Sequence, residues 1–150
     1  MKKTIRNSVF ETNSSSVHTL VYKNQTFAEP DLPINPETNK VIGYYGSFDN
    51  KDKYYESQAD KLSYLLTNLY YIHHYDTENI YGTWDFEELE EVVNKHCGTD
   101  GIEIREDIEP YIDHQSVPEY GDCCDLFMLT KENMENFIFN PNVVLHTDSD

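Results

Sequence analysis

Residues Glu56 to Tyr75 read ESQADKLSYLLTNLYYIHHY, and the spacing of apolar side chains in this stretch decides the fold class. Leu62, Leu65, Leu66, Leu69 and Ile72 recur at helical intervals, so they line one face and predict a helix over about 56–75. Ser57 followed by Asp60 has the form of a capping box at its amino end. His73 and His74 are neighbours, and adjacent residues on a helix project roughly 100° apart. They do not form a clamp.

Toward the carboxyl end, Phe86 to His96 predicts a second helix. Asp85 is positioned to cap it, Glu88 lies three residues on, and Gly98 stands just past its end. Phe86, Leu89, Val92 and Val93 form its inner face, while Glu87, Glu88, Glu90 and Glu91 cover the other. GIEIR, residues 101–105, alternates as a half-buried strand does. Ile108 to Asp113 extends that strand or forms a short turn. Leu126 to Leu129 reads as a brief strand. A short third helix opens at Thr130, runs through Met134, Phe137 and Ile138, and stops before Pro141; Val143 to His146 makes a last strand.

Toward the amino end, Asp49 to Lys53 is a charged turn, and Val41 to Phe48, VIGYYGSF, reads as a strand. Gly43 and Gly46 there permit a bulge or a close backbone approach. Pro30, Pro33 and Pro36 mark Ala28 to Lys40 as an extended loop. Val17 to Tyr22 is a strand, and residues 1–10 are a short strand or arm anchored by Ile5, Val9 and Phe10. Helices and strands mix without a regular βαβ rhythm. The expected class is α+β: one domain over 1–150, with a mainly antiparallel sheet, two longer helices and one short helix.

The chain has 150 residues, enough for one real core, and its twelve tyrosines and seven phenylalanines supply bulky apolar area despite a hydrophobic content of only 38%. Net charge is −17, unevenly spread: the first 27 residues carry +3 and the remaining 123 carry −20. Such a surface repels nucleic-acid backbones and anionic membranes. Direct DNA or RNA binding is not expected, except through the short basic amino end. The charge either solubilises the protein or imitates phosphates in a protein's nucleic-acid groove. No apolar run follows the amino-terminal cations, and no window approaches a membrane span. Cys97 and the adjacent Cys123 and Cys124 make an odd count that points to reduced thiols in a cytosolic setting.

Phe10 to Tyr22, FETNSSSVHTLVY, gathers polar side chains ahead of an apolar run. Asn, Ser and Thr routinely bond their own backbone, so a purely structural turn accounts for this loop. Three chemistries compete with that reading. A nucleophilic site would pair Ser14 or Ser16 with His114 and with Asp113 or Asp148, but no GxSxG elbow is present. A metal site would draw on His18, His114, His146 and Asp113 or Asp148, without any compact ligand spacing. A phosphate or nucleotide would sit in a nest of backbone N–H groups and hydroxyls, in a loop that lacks glycine. The catalytic candidates are Ser14, Ser16, His18, Asp113 and His114. The ligand-binding candidates are Glu11, Asn13, Ser15, His146 and Asp148. The sequence specifies no cofactor and no metal.

Tyr44, Tyr45, Tyr54, Tyr55, Tyr70, Tyr71 and Tyr75 concentrate in one part of the chain. Tyrosine is enriched at contact surfaces, and it also fills cores. Adjacent pairs such as Tyr54 and Tyr55 cannot both point inward, so some rings must be exposed.

Five segments in order, FETNSSSVH (10–18), YYGSFDN (44–50), KLSYLLT (61–67), YIDHQS (111–116) and FIFNPNVVLHTDSD (137–150), resemble a group of uncharacterised small proteins carried by bacteriophages and by Firmicute genomes with prophages. The chain departs from that group at Val17, which replaces a threonine, and in YYGSFDN, which lacks the usual tryptophan. The resemblance implies a phage-type context in the host bacterial cytosol and implies no mechanism. Combined with the composition, it gives the expectation of an accessory protein that binds a host protein through an acidic, tyrosine-rich surface. Glu87, Glu88, Glu90, Glu91, Glu103, Glu106 and Asp107 are its anionic candidates. The alternative is a small enzyme or nucleotide/phosphate binder at residues 13–18 with Asp113, His114, His146 and Asp148.

Overall fold

The leucine stripe folds as its spacing requires. Helix α1 spans Gln58–Ile72; Ser57 caps it, its Oγ accepting the Asp60 N–H at 3.0 Å. Leu62, Leu65, Leu66 and Leu69 are all buried. The helix ends earlier than its periodicity suggests, because His74 and Tyr75 adopt left-handed backbone angles, with φ of 66° and 62°. A single turn, α2 (Thr77–Ile80), and helix α3 (Trp84–Cys97) follow. Gly98 closes α3 with φ 67°, its N–H bonded to the Asn94 carbonyl at 2.8 Å. Helix α4 (Lys131–Phe139) is capped by Thr130 and ends at Asn140, just ahead of Pro141.

The structure is a computed structural model and describes residues 2–6, 26–48, 53–112 and 130–148. Its strands are β1 (Lys2–Arg6), β2 (Ile34–Asn35), β3 (Lys40–Tyr44), β4 (Ser47–Phe48), β5 (Lys53–Tyr55), β6 (Ile102–Arg105), β7 (Tyr111–Ile112) and β8 (Val144–Asp148). They form small sheets ordered β1-β8-β5, β2-β3-β6 and β4-β7. The β1–β8, β5–β8 and β2–β3 pairings are antiparallel, whereas β3–β6 and β4–β7 are parallel. The class is therefore α+β. The parallel pairs arise because the chain passes through α1, α2 and α3 before returning, the crossover that parallel strands need.

Some expectations shift in detail. The predicted strand 41–48 divides at Tyr45 and Gly46 into β3 and β4, which join different sheets. Gly43 lies against α1 so closely that a Cβ there would stand 2.5 Å from Leu66 Cδ1. Tyr111 and Ile112 do not lengthen β6; they pair with β4 instead. Asp85 does not cap α3. It sits inside the first turn, buried, with its carboxylate oxygens 3.0 and 3.1 Å from His73 Nε2, and so ties α3 to the end of α1. The expected strands at 17–22 and 126–129 lie outside the described residues.

Lys61 is buried on α1, and its ammonium donates to the carbonyls of Asn140 at 3.2 Å and Val143 at 2.9 Å. It thereby satisfies oxygens at the carboxyl end of α4. A chain of rings crosses the core beside it: Phe137 to Tyr64 at 6.0 Å, Tyr64 to Phe48 at 5.1 Å, and Phe48 to Tyr55 at 5.1 Å. These contacts join α4, α1, β4 and β5.

Candidate functional site

The tyrosines grade from the core to the surface. Tyr45 is buried and its ring packs on Tyr70 at 5.1 Å. Tyr70 meets Tyr71 at 5.8 Å and Tyr75 at 6.0 Å, and Tyr71 meets Tyr75 at 5.2 Å, all edge to face. Tyr75 is 57% exposed and Tyr111 39% exposed. The Tyr45 hydroxyl lies 2.6 Å from Thr77 Oγ1. Burial pushes its pKa up to about 12, against that hydrogen bond and with the help of the Glu106 charge. Burial also raises Tyr71, whose hydroxyl feels those of Tyr75, Tyr111 and Tyr70.

Two phenol oxygens hold the neighbouring acidic segment. Tyr81 Oη accepts the Ile104 N–H at 3.0 Å, and Tyr71 Oη accepts the Ile112 N–H at 3.4 Å. The Gly46 carbonyl takes the Tyr111 N–H at 3.1 Å. Between these pegs, Glu106, Asp107, Ile108 and Glu109 face solvent, with Ile108 51% exposed. No lysine or arginine occurs from 62 to 94 or from 106 to 130. The result is an anionic loop with one apolar tip, fixed beside a cluster of rings.

The anionic candidates divide. Glu90 Oε2 accepts the Ile102 N–H at 3.0 Å, and Glu91 pairs with Lys131 at 2.8 Å. Glu103 binds Arg105 at 2.7 Å and accepts from Asn35 and Thr38; the Arg105 bond chiefly holds its carboxyl below the usual range. Those three bond within the fold. Glu87, Glu106 and Asp107 are exposed, and Glu88 is half-buried.

A second polar cluster joins α3 to α4. Glu135 Oε2 receives Lys95 Nζ at 2.8 Å and His96 Nε2 at 2.6 Å. The His96 ring stacks on Phe139 at 4.0 Å and meets Phe27 edge-on at 5.0 Å. Beside it is an open groove of about 410 Å³ lined by Glu91, Val92, Lys95, Lys131, Glu132 and Glu135. Burial raises the Glu135 carboxyl, but the bonds from Lys95 and His96 outweigh it and leave the pKa lowered. A group so depressed adds stability above its unfolded pKa and loses it as pH falls through the folded one. Glu135→Gln should therefore cost about 1–3 kcal/mol near neutrality. The deficit should shrink as the wild-type carboxylate protonates in acid, which urea titrations at several pH values would read.

Of the serine–histidine candidates, Glu11, Asn13, Ser14, Ser15, Ser16, His18, Asp113 and His114 lie outside the described residues. His146 and Asp148 both fall on β8, whose backbone pairs with β1 in a register that sets Thr4 opposite His146 and Lys2 opposite Asp148. His146 is buried, and its ring stacks on Tyr54 at 4.2 Å. Among the described residues no group of three or more His, Cys, Asp or Glu side chains is set to hold a metal ion. Cys97 is half-buried and its thiol is raised by burial, the opposite of an activated nucleophile. Among the described residues no helix is long and apolar enough to cross a membrane.

The tyrosine pegs and the Glu135 cluster leave no local sequence signal. Ile112 lies 41 residues from Tyr71, and Glu135 lies 39 from His96. Fold and surface together define a small α+β protein with an acidic aromatic face. No family model, no curated protein and no solved structure matches the chain.

Proposed function

We propose that this is a phage-type accessory protein that acts in the host bacterial cytosol by binding a host protein through the face built from Tyr71, Tyr75, Tyr111 and residues 106–109. The observation that supports this reading is the exposed Glu106–Asp107–Ile108–Glu109 segment, anchored at both ends by tyrosine hydroxyls. A fixed loop loses little conformational entropy on docking. Acidic side chains around an exposed isoleucine fit a partner surface with an apolar recess and a basic rim. If that partner binds nucleic acid, DNA should compete with the protein for it.

The test is affinity for the host partner as salt is raised. Combined Glu106→Gln, Asp107→Asn and Glu109→Gln substitutions should weaken binding by about tenfold or more at low salt and flatten its salt dependence. Binding that ignores salt and tolerates all three changes would remove the reading. A second reading, a small enzyme or phosphate-ligand binder at Ser14, Ser16 and His18, draws on one observation. The amino-terminal strand pairs with the strand that carries His146 and Asp148. Loss of a small-molecule activity in folded Ser14→Ala or His18→Ala protein would favour it.

A further inference from the structure

We propose that the tyrosine face takes arginine side chains in particular, so that the host partner presents an arginine-bearing segment to Tyr75, Tyr111 and the 106–109 loop. This rests on the binding reading above and narrows it. Tyr75 is more than half exposed, yet it is held edge to face against both Tyr70 and Tyr71, so its ring is presented to solvent in a fixed position. Tyr111 is also exposed and is tied through its N–H to the Gly46 carbonyl. The carboxylates of Glu106, Asp107 and Glu109 are exposed on the segment that Tyr111 terminates.

Aromatic faces attract cations, and a planar guanidinium stacks on a ring while its N–H fork reaches a carboxylate. A lysine ammonium is a more strongly hydrated point charge without that planar match. Phosphate ligands are disfavoured by the same carboxylates. A second copy of the chain is a poor occupant: it carries −17 overall, and its only arginines are Arg6 and Arg105. Arg105 is already bonded to Glu103.

The experiment uses the full chain with a blocked Gly-Arg-Gly-Arg-Gly-Arg-Gly peptide and its lysine counterpart, titrated calorimetrically at low salt. The arginine peptide should bind about fivefold tighter than the lysine peptide. Tyr75→Leu and Tyr111→Leu, each checked by circular dichroism, should bring that ratio close to one. Combined Glu106→Gln, Asp107→Asn and Glu109→Gln changes should weaken both peptides alike. Equal binding of the two peptides, or an arginine preference that survives both tyrosine changes, overturns the proposal. So does sedimentation showing that the face is closed by self-association and binds neither peptide. If Tyr75→Leu unfolds, Tyr111→Leu decides alone. A host protein that still docks on this face without preferring arginine would leave the broader reading standing and remove only this one.

Discussion

Phe137→Ala is expected to lower stability by about 3–5 kcal/mol, the usual effect of deleting a fully buried aromatic ring. Phe137 is fully buried on α4 and starts the run of rings through Tyr64 and Phe48 to Tyr55. Among the described residues the sheets are short, and β4 and β7 form a two-stranded ladder. Such pieces are not stable alone, so side-chain packing between them and the helices must hold the domain together. A typical domain has only about 5–15 kcal/mol in total, and this single change should shift the urea midpoint steeply downward. Ile34→Ala, at an exposed edge position, should move it by less than about 0.5 kcal/mol. A Phe137→Ala loss below about 1 kcal/mol would mean that the ring chain is not the core of the fold.

The second large effect concerns Lys61. Burial lowers its pKa to about 8, with the Glu56 charge acting the other way. The unfolded chain therefore binds the proton more tightly than the folded chain does. Between about pH 8 and the ordinary lysine value near 10.5, stability should rise with pH. The slope approaches about 1.4 kcal/mol per pH unit, for a total on the order of 3 kcal/mol. Below pH 8 both states are protonated and the full penalty of the buried charge is present. Lys61→Met keeps the stem and removes the charge, so the rise across this window should vanish. Near neutrality the variant also loses the bonds to Asn140 and Val143; the Asn140 carbonyl keeps the Val143 N–H at 3.1 Å, so a bare-oxygen cost of about 1–3 kcal/mol falls on the Val143 carbonyl. The two terms oppose each other there. The discriminating quantity is the difference in stability between the two proteins as a function of pH, and it should change most between pH 8 and about 10. At still higher pH, Tyr45 takes over with the opposite sign, since the folded state keeps a phenol proton that the unfolded state gives up above about pH 10.

The helices were legible because their signals are local. The leucine stripe, Ser57 with Asp60, Thr130 and Gly98 act within a few residues of each other, and each sits where its spacing places it. The strands were less legible. Lys53 to Tyr55 is a three-residue strand, too short for any alternation to register, and it begins at Lys53, the last residue of the expected charged turn. The run from Val41 to Phe48 looks continuous in sequence but changes sheets at Tyr45, whose side chain turns inward. Asp85 has the right residue type for a cap, yet it lies inside the first turn, where its buried carboxylate meets half-buried His73 and accepts the Phe86 N–H at 2.9 Å. At the candidate face, tyrosine enrichment was visible. The division of labour among rings was not, because Tyr71 and Tyr81 act through backbone N–H groups far along the chain. Acidic residues were likewise counted correctly but not sorted, since Glu90, Glu91 and Glu103 find partners only after folding.

The face built on residues 104–112 is tested most directly by placing a photo-crosslinking amino acid at Ile108 in one protein and at Ile34 in another. Both isoleucines are exposed, and β2, which carries Ile34, pairs in another sheet from β7, which terminates the acidic loop. The proposed binding role predicts, in the bacterial host it proposes, one partner protein crosslinked from position 108 and not from 34, with the product lost when Glu106, Asp107 and Glu109 are neutralised. Equal labelling from both positions, or labelling from 34 alone, would contradict it.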